Sequence, residues 1–479
     1  MRTTDAFLNA HLIDSYLFYI GGRLWPISIR DQMLRGQLIV DRAIEQGLIH
    51  IASPLAIVGA GAAGVTAALR AADRGVPVTL FERDRLFSRH AQCQTRMVHP
   101  TQYDWLVGHW DAGAFPWPGT PGMPLEWPRP HWASSLAREW EIQFIRQYPR
   151  LQGLLTMRLP ADVIVPPTPP AAAFNAAGNR NPILVDWTDL QTGQVRQDPF
   201  GIVVLAMGFG EEKTYLAPPS PYRGFEFWAT DPFSLPNLGC PNNPPRVLIS
   251  GGGDGALQDF LRVTTRCETA VELWKNLPAT ALAAVADLRD AEDQALRAFA
   301  WGPGYDSHFD HATLERLHRE HDRVATALLA YPRVEAALQR LIRTDFHSVT
   351  LVHSCTHLSQ GYGLNHVLVL LVAKYLQATN PACRHIFTSG MALSAIQCLH
   401  PPPISPADCN GKPHNVDVRP QPTCARPANP NNLPPGNLLG TFDVLILRHG
   451  IEPTPLRANK GNGAALPPLR QLLPYHLPS

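Results

Sequence analysis

The stretch from Leu55 to Glu82 constrains the fold of this chain more than any other part of the sequence. An apolar run breaks at Gly59-Ala-Gly-Ala-Ala-Gly64, a helical pattern continues to Gly75, and a second apolar run ends at Glu82. Strand, glycine turn, helix and a second strand that ends in an acid are typical of a dinucleotide-binding βαβ unit. The sequence therefore predicts an α/β fold that contains a Rossmann-like domain.

The three glycines of this turn each have a physical role in a pyrophosphate site. Gly59 permits the tight turn, Gly61 puts no side chain between the backbone and the phosphates, and Gly64 lets the helix pack closely on the strand. The phosphates would lie at the helix N-terminus, where unpaired N–H groups and the helix dipole favour negative charge. A glycine-rich turn without a ligand is the alternative interpretation.

The acid at the end of the second strand indicates which dinucleotide binds. Glu82 could accept hydrogen bonds from an adenosine ribose and would repel a 2′-phosphate. We therefore expect FAD or NAD at this turn rather than NADP. The residues expected to contact this ligand are Gly59, Gly61, Ala62, Ala63, Gly64, Glu82 and Arg83.

A second glycine turn follows the apolar run Val247–Ser250. The run Ala270–Trp274 reads as the next strand, and the spacing of the first unit places the counterpart of Glu82 at Trp274. No acid stands there to reject a 2′-phosphate and Lys275 adjoins it, so NADPH is favoured over NADH. The residues expected to contact this nucleotide are Gly251, Gly253, Asp254, Ala256 and Lys275. A unit retained for architecture, with no bound nucleotide, is the alternative.

Composition and charge give no support for a nucleic-acid-binding, membrane-spanning or secreted protein. The chain of 479 residues is long enough for two or three domains, and its net charge of +1 gives no indication of a nucleic-acid or membrane partner. The longest strongly apolar run, Val367–Ala373, is too short to span a bilayer, and the N-terminus has no signal pattern. Eight scattered cysteines without a CxxC pair indicate reduced thiols. We therefore expect a cytoplasmic protein.

One short segment raises the question of a metal ion. His353, Cys355 and His357 alternate after an apolar run and would lie on one face of a strand, as zinc ligands can. No fourth ligand is evident, and core or site histidines are the simpler explanation. No metal site is predicted.

Further patterns suggest how the chain is divided into domains. From Ile183 a hairpin leads into a buried strand that ends at Gly208, and the same design recurs before Gly450. A capping box at Ser28 opens a helix in the N-terminal segment. We predict an N-terminal helical extension (1–54), a discontinuous FAD-binding domain (55–220 and 400–479), and a second dinucleotide-binding domain (221–399). Its helical insertion, residues 279–342, would be a lid, a surface for a protein partner or a second copy, or simple padding.

Two dinucleotide turns in one chain, each closed by a hairpin and a strand that ends at glycine, resemble the FAD/NAD(P)-dependent oxidoreductases with two dinucleotide-binding domains. Within these, the chain is most similar to the flavin-containing and N-hydroxylating monooxygenases. Ala206-Met207-Gly208 stands where that family has an ATG motif, and Tyr222–Trp228 stands where it has an FxGxxxH fingerprint. The sequence departs from the family at Trp228, which replaces the histidine, at Met207, which replaces a threonine, and at Arg448-His449, which replace Ala-Thr.

The resemblance implies an FAD-dependent oxidoreductase in which NADPH reduces the flavin, which then reacts with oxygen or a small-molecule substrate. Gly208 and Gly450 would adjoin the cofactor. The candidates to line its ring are Arg96, His99, Tyr103, Trp105, Trp228 and Asn365. Two other functions stay open: an amine or amino-acid oxidase whose second turn is only scaffold, and a non-catalytic nucleotide-binding sensor or scaffold protein.

Overall fold

A computed structural model of the chain describes residues 5–450 with gaps. The gaps are residues 15, 22–27, 50–53, 101–122, 165–180, 209, 217–221, 242, 280, 282–284, 286–287, 289–299, 302–306, 309–310, 359–360, 402, 404 and 421–436.

The strands are β1 (Leu12–Asp14), β2 (Leu17–Tyr19), β3 (Leu55–Val58), β4 (Val78–Phe81), β5 (Met97–Val98), β6 (His131–Trp132), β7 (Leu155–Arg158), β8 (Ala161–Val163), β9 (Ile183–Asp189), β10 (Val195–Phe200), β11 (Ile202–Leu205), β12 (Arg246–Ser250), β13 (Ala300–Trp301), β14 (Ser307–His308), β15 (Ser348–His353), β16 (Phe387–Ser389), β17 (Met391–Cys398), β18 (His414–Pro420), β19 (Asn437–Phe442) and β20 (Val444–Leu447).

The helices are α1 (Ala6–His11), α2 (Ile29–Glu45), α3 (Ala62–Asp73), α4 (Ser88–Gln92), α5 (Ala133–Leu151), α6 (Asp254–Thr264), α7 (Ala270–Lys275), α8 (His311–Leu329), α9 (Pro332–Leu341), α10 (Gly363–Thr379) and α11 (Pro406–Cys409). Among the described residues, no helix is long and apolar enough to cross a membrane.

The first sheet is built around the unit that the sequence predicts. Its strand order is β1-β2-β11-β3-β4-β7, and all neighbours except β1 and β2 are parallel. The alanine-rich helix α3 joins β3 to β4 and ends before Gly75, whose φ of 75° is left-handed and favours glycine. All four residues of β3 are buried, as expected for a strand covered on both faces.

The second sheet repeats this topology. Its strands are all parallel in the order β16-β15-β12-β20, and α6 follows β12 as α3 follows β3. In both units an antiparallel three-stranded sheet precedes the last parallel strand: β8 to β10 before β11, and β17 to β19 before β20. The predicted fold class, two Rossmann-like units in one chain, is therefore confirmed.

The last described strand corrects the predicted division of the chain. Residues 400–479 were expected to return to the first domain, but β20 pairs with β12 of the second sheet, with Val444 opposite Val247. The apolar patterns of β11 and β20 are alike, so the sequence does not show which sheet each completes. Residues 451–479 lie outside the described residues.

The segment Ala270–Lys275 is a helix, α7, and the predicted strand is wrong. The Thr269 hydroxyl accepts a hydrogen bond from the Glu272 N–H at 3.1 Å and caps the helix. Six residues with mixed apolar character fit either a strand or one helical face, so their pattern alone did not decide between the two. The strand that follows α6 in the sheet is β15, which lies beyond the helical insertion.

The described helices of the insertion belong to the core of the second unit. Val324 and Leu328 of α8 and Val334 and Leu338 of α9 are fully buried and share one apolar cluster with α10. For residues 311–342 this packing contradicts a lid, because a lid has to separate from the body that it covers. The preceding part of the predicted insertion lies mostly outside the described residues.

The N-terminal segment is part of the first unit and not a separate extension. The predicted capping box is present: the Ser28 hydroxyl accepts from the Asp31 N–H, and the Asp31 carboxylate accepts from the Ser28 N–H. Helix α2 then packs directly on α3 at Gly36, where an added Cβ would lie only 2.6 Å from the Ala63 carbonyl oxygen. In addition, β2 extends the sheet beside β11.

Candidate functional site

A cavity of about 1040 Å³ lies between the two units. It is lined by residues that follow β3, β4 and β11 of the first sheet and β12 and β20 of the second. In open α/β sheets, ligands bind beyond the carboxyl ends of the strands. The volume is at the upper end of small-molecule sites, which are about 300–1,000 Å³.

The first glycine turn forms one wall of this cavity. Gly59 has a φ of 105°, and a Cβ there would lie 2.6 Å from the Ala206 carbonyl oxygen. A Cβ on Gly64 would lie 1.8 Å from the Gly59 oxygen, so the helix could not approach the strand as it does. Gly61 is different, because a Cβ there meets no described protein atom within 4 Å. The space beside Gly61 is therefore free for a ligand.

Glu82 fixes the shape of this turn. One carboxylate oxygen accepts from the Ala60 N–H at 2.7 Å and the other from the Asp84 N–H at 3.0 Å. Ala62, Ala63 and Arg83 line the cavity beside it. A carboxylate so close to the turn can also accept hydrogen bonds from a ribose, since each oxygen has more than one acceptor site.

Several buried polar atoms of the cavity wall have no hydrogen-bond partner among the described residues. They are both ring nitrogens of His90, Trp127 Nε1, Arg96 Nη1 and Arg448 Nη2. An unsatisfied buried polar atom costs about 1–3 kcal/mol. Their four residues line the cavity, although the atoms themselves are buried in its wall, so they would meet a ligand only after the side chains adjust.

His90 is a site residue that the sequence analysis did not select. Its ring lies between those of Trp228, at a centroid distance of 4.8 Å, and Trp140, at 5.8 Å. Burial lowers the pKa of His90 to about 4, so the imidazole is neutral at pH 7. The sequence does not indicate that His90 belongs to the site, because Trp140 and Trp228 approach it only in the folded chain.

Arg96, a predicted ring-lining residue, also joins the two units through a buried ion network. Its Nη2 donates to Asp259 at 2.9 Å, its Nε donates to the Phe227 carbonyl at 2.7 Å, and its guanidinium lies 3.6 Å from the Phe227 ring centroid. Arg262 and Arg448 also contact Asp259. Burial raises the pKa of Asp259, but the three arginines outweigh this effect and hold it below the usual range.

The other predicted ring-lining residues lie in different places. His99 and Trp228 line the cavity, and burial together with Lys275 lowers the pKa of His99 to about 4. Asn365 is fully buried on α10, where its amide donates to Asp254 at 2.7 Å. Tyr103 and Trp105 lie outside the described residues. Gly208 and Gly450 border the cavity.

The second glycine turn reaches the same cavity through Gly253, Asp254 and Ala256. A Cβ on Gly251 would lie 2.4 Å from the Arg448 carbonyl oxygen, whereas a Cβ on Gly253 meets no described atom within 4 Å. This repeats the contrast between a crowded and an open glycine in the first turn.

Asp254 distinguishes the second turn from the first. Asp254 is the first residue of α6. Its carboxyl accepts hydrogen bonds from the Tyr362 N–H at 2.8 Å and from the Asn365 side-chain amide. Burial raises the pKa of Asp254 to about 7, although these two hydrogen bonds lower it. The side chain is thus directed toward α10, and a carboxyl stands where the first turn has Ala62.

The structural counterpart of Glu82 is His353, and the predicted counterpart Trp274 is wrong. Gly59 N donates to the Phe81 carbonyl and Gly251 N to the Val352 carbonyl, so Glu82 and His353 occupy the same register position. His353 Nε2 and the Ser389 hydroxyl are 2.9 Å apart. Lys275 is exposed on α7 and, among the described residues, does not line the cavity.

His353 also belongs to a group of histidines beside the second turn. His318 Nδ1 and His366 Nε2 are 3.0 Å apart, and the His318 ring lies 4.8 Å from that of His357. Burial lowers the pKa of both His318 and His353 to about 4. These histidines pack against one another beside the second turn.

Residues 54–153 match the family model described as FAD dependent oxidoreductase. This segment is similar to an FAD-dependent oxidoreductase domain. The family segment contains the first glycine turn, Glu82 and His90, and the FAD expected at that turn agrees with it. The resemblance to FAD-dependent oxidoreductases with two dinucleotide-binding units is therefore confirmed.

Solved structures show a loose likeness over most of the chain. A bacillithiol disulfide reductase from Bacillus cereus is 10% identical with a TM-score of 0.41, over 86% of this chain and 81% of that one. The FAD-bound cadaverine monooxygenase of the desferrioxamine pathway from Erwinia amylovora is 12% identical with a TM-score of 0.38, over 85% and 80%. Ornithine hydroxylase from Pseudomonas aeruginosa is 14% identical with a TM-score of 0.35, over 85% and 84%. These scores are too low to carry an argument about activity. Among curated proteins, no sequence matches the chain.

Proposed function

We propose that this FAD-dependent oxidoreductase takes its electrons from NADPH and passes them to oxygen and a small-molecule substrate, as flavin-containing monooxygenases do. One observation carries the proposal: both glycine turns border the same cavity. An electron donor held at the second turn and a cofactor held at the first would meet in this space without leaving the protein.

The residues of the first unit fit FAD. The open space at Gly61 and the N-terminus of α3 would hold the pyrophosphate, and Glu82 would accept from the ribose. When bound, FAD supplies the two-electron redox chemistry, which no side chain provides. His90, Trp127 and the arginines would satisfy its polar groups.

The charges of the cavity wall favour an anionic ligand. Arg96 and Arg448 both line the cavity and both contact Asp259, and each has one buried nitrogen without a partner among the described residues. Because His90 is neutral, it can donate a hydrogen bond through one ring nitrogen and accept one at the other. Phe227 and Trp228 cover this wall with aromatic surface that excludes water.

Two features support NADPH as the second nucleotide. Gly253 caps α6 with open space beside it, as Gly61 caps α3. His353, at the position of Glu82, puts no carboxylate near the ribose, so a 2′-phosphate meets no fixed negative charge there. The preference therefore rests on the missing carboxylate at position 353; among the described residues, neither His353 nor Lys275 lines the cavity.

One observation favours the alternative of an oxidase that its substrate reduces directly. Asp254 stands at the first position of α6, where an ionised carboxylate would repel the phosphates of a second nucleotide. In such an oxidase the second unit would be scaffold, and an amine or amino acid would replace NADPH as the electron source.

A matched pair of substitutions tests the proposal. Gly61→Ala and Gly253→Ala each add one methyl group at a helix N-cap with extended backbone and no described protein atom within 4 Å. We expect Gly61→Ala to weaken FAD binding at least about tenfold, or 1.4 kcal/mol. Gly253→Ala should retain FAD and instead raise the NADPH concentration needed for reduction.

The readout is flavin absorbance during anaerobic titration with NADPH, NADH and a panel of amines. Loss of the oxidised flavin bands with NADPH, impaired in Gly253→Ala, supports the proposal. If an amine reduces the flavin in both the wild type and Gly253→Ala, and NADPH reduces it in neither, the protein is an oxidase. Bound FAD that none of these reductants reduces would contradict both enzymes and favour a sensor or scaffold protein.

A further inference from the structure

Two cysteines and two histidines converge at the connection between β17 and β18. Their ligand atoms all lie within 4.8 Å of one another. The four residues are Cys398, His400, Cys409 and His414. Among the described residues that line the cavity, none of these four occurs, so the cluster is separate from the dinucleotide site.

The backbone brings the four residues together. Cys398 ends β17 and His414 begins β18, and the two are direct partners in the antiparallel register. The Leu399 N–H donates to the Pro413 carbonyl at 3.1 Å and closes the base of the loop. A capping box between Ser405 and Asp408 fixes the short helix α11, which ends at Cys409.

The orientation of the imidazoles suits a metal ion. His400 Nδ1 lies 2.8 Å from the Pro401 carbonyl oxygen; when Nδ1 donates there, Nε2 carries the lone pair that a metal ion needs. That Nε2 lies 2.9 Å from His414 Nε2, and His414 is completely buried. A backbone acceptor on the outer nitrogen is the usual arrangement around a metal-binding histidine.

We propose that Cys398, His400, Cys409 and His414 bind one Zn²⁺ ion in a structural site. Two sulfur and two nitrogen ligands in tetrahedral geometry are the preferred set for zinc. Bonds of about 2.0–2.3 Å separate tetrahedral ligand atoms by about 3.3–3.8 Å, which is within the spread of this cluster. With four protein ligands no coordination position stays open, and such sites stabilise the fold instead of catalysing a reaction.

The ion would hold in place the segment around Tyr222 and Leu238, which links the two units. The Tyr222 ring packs edge-on against His414 at a centroid distance of 5.3 Å, and its hydroxyl donates to the Leu445 carbonyl. Asn410, next to Cys409, donates to the Leu238 carbonyl at 3.1 Å. Between Tyr222 and Leu238 lie Phe227 and Trp228, which line the cavity. Zinc would thus hold one wall of the dinucleotide site indirectly.

No metal site is predicted from the sequence, and the proposed zinc site departs from that prediction. The ligands are spaced Cys-x-His and Cys-x₄-His instead of in CxxC pairs. Only the hairpin register and α11 bring the two pairs together.

Metal content of the purified full-length protein tests the proposal. We expect about one zinc per chain by elemental mass spectrometry after removal of loosely bound metal with a weak chelator. Cys398→Ser and Cys409→Ser should lose the zinc. The matched control is Cys240→Ser: Cys240 is also buried, and its Sγ lies 3.2 Å from a Cβ built on the neighbouring Gly411, but it is not in the cluster.

Because a serine variant could fail to fold, a second measurement uses Co²⁺ and a ligand-preserving variant. Wild-type protein exchanged with Co²⁺ should show tetrahedral d–d bands in the red, where oxidised flavin does not absorb. His400→Cys should keep one metal per chain and intensify the sulfur-to-cobalt charge transfer. Wild-type protein that retains no zinc and takes up no Co²⁺ would overturn the proposal, as would equal zinc in the control and both serine variants, or a Cys398–Cys409 disulfide.

Discussion

His353 occupies in the second sheet the register position that Glu82 occupies in the first. The Gly59 N–H donates to the Phe81 carbonyl, and Glu82 is the next residue. In the same way, the Gly251 N–H donates to the Val352 carbonyl, and His353 is the next residue. The two Rossmann-like units therefore share their backbone and differ in the side chain beside the expected ribose. A carboxylate stands in the unit that is expected to hold FAD, and a neutral imidazole stands in the other.

Replacing this imidazole by a carboxylate should change the nucleotide preference. We expect His353→Glu to weaken NADPH binding relative to NADH by at least about tenfold, because the new charge repels a 2′-phosphate. The ratio of the two dissociation constants, from anaerobic flavin titrations, measures the effect. Ser389→Ala, which removes only the hydrogen-bond partner of His353, is the control. An unchanged ratio in His353→Glu would show that no ribose lies there.

The ring nitrogens of His90 should bind the cofactor and not the protein. His90→Phe keeps a ring against Trp140 and Trp228 but removes both nitrogens. We expect FAD affinity to fall up to about tenfold, the equivalent of one hydrogen bond of about 0.5–1.5 kcal/mol, with little change in the unfolding of the FAD-free protein. A loss of stability without a loss of FAD affinity would assign His90 to packing alone.

Asp254 should make folding stability depend on pH. Burial raises its pKa from 3.8 to about 7 in the folded protein, so the folded state holds a proton that the unfolded state has released. Stability from this group is complete below pH 3.8, the unfolded pKa, and is lost as the pH rises toward about 7, by an amount on the order of 4 kcal/mol.

Asp254→Asn tests this effect, since the amide oxygen can accept the hydrogen bonds of Tyr362 and Asn365 at any pH. The difference in unfolding free energy between variant and wild type should grow from pH 5 to pH 8 in favour of the variant. NADPH should also bind the variant more tightly above pH 7, because the carboxylate is gone. A difference that does not change with pH would contradict the raised pKa.

The buried ion network should contribute far more to stability than an exposed ion pair nearby. Arg96→Met leaves Asp259 short of one buried partner and should lower the unfolding free energy by about 3–5 kcal/mol. Arg89→Met breaks the exposed pair with Glu226 and should cost about 0–1 kcal/mol. Guanidinium denaturation followed by tryptophan fluorescence gives both values. Equal costs would mean that the buried network does not stabilise the contact between the units.

Local patterns predicted the parts of the fold in which neighbours in sequence determine the structure. The turn at Gly59 and the capping box at Ser28 depend on residues close in the chain, and both are present. The strand predicted for Ala270–Trp274 is wrong because a short apolar run fits one face of a helix equally well. As a result, Trp274 was predicted as the counterpart of Glu82 instead of His353. The spacing taken from the first unit does not allow for the helical insertion that precedes β15.

The site was predictable where a glycine or an acid has a fixed position in a motif. His90 and the partners of Arg96 were not, because contacts such as Arg96 with Asp259 join residues far apart in the chain. The cluster of Cys398, His400, Cys409 and His414 was missed for the same reason: its two pairs meet only through the register of β17 and β18.

The first sheet also determines how small a useful fragment of this protein can be. The family segment, residues 54–153, contains β3 and β4 but not β11, which covers one edge of β3, or β7, which covers the far edge of β4. In that fragment the wholly buried strand β3 would become an open apolar edge, and such edges recruit strands from other chains. Recombinant protein trimmed to the family boundaries should therefore aggregate, whereas fragments that retain β2 and β11 should stay monodisperse.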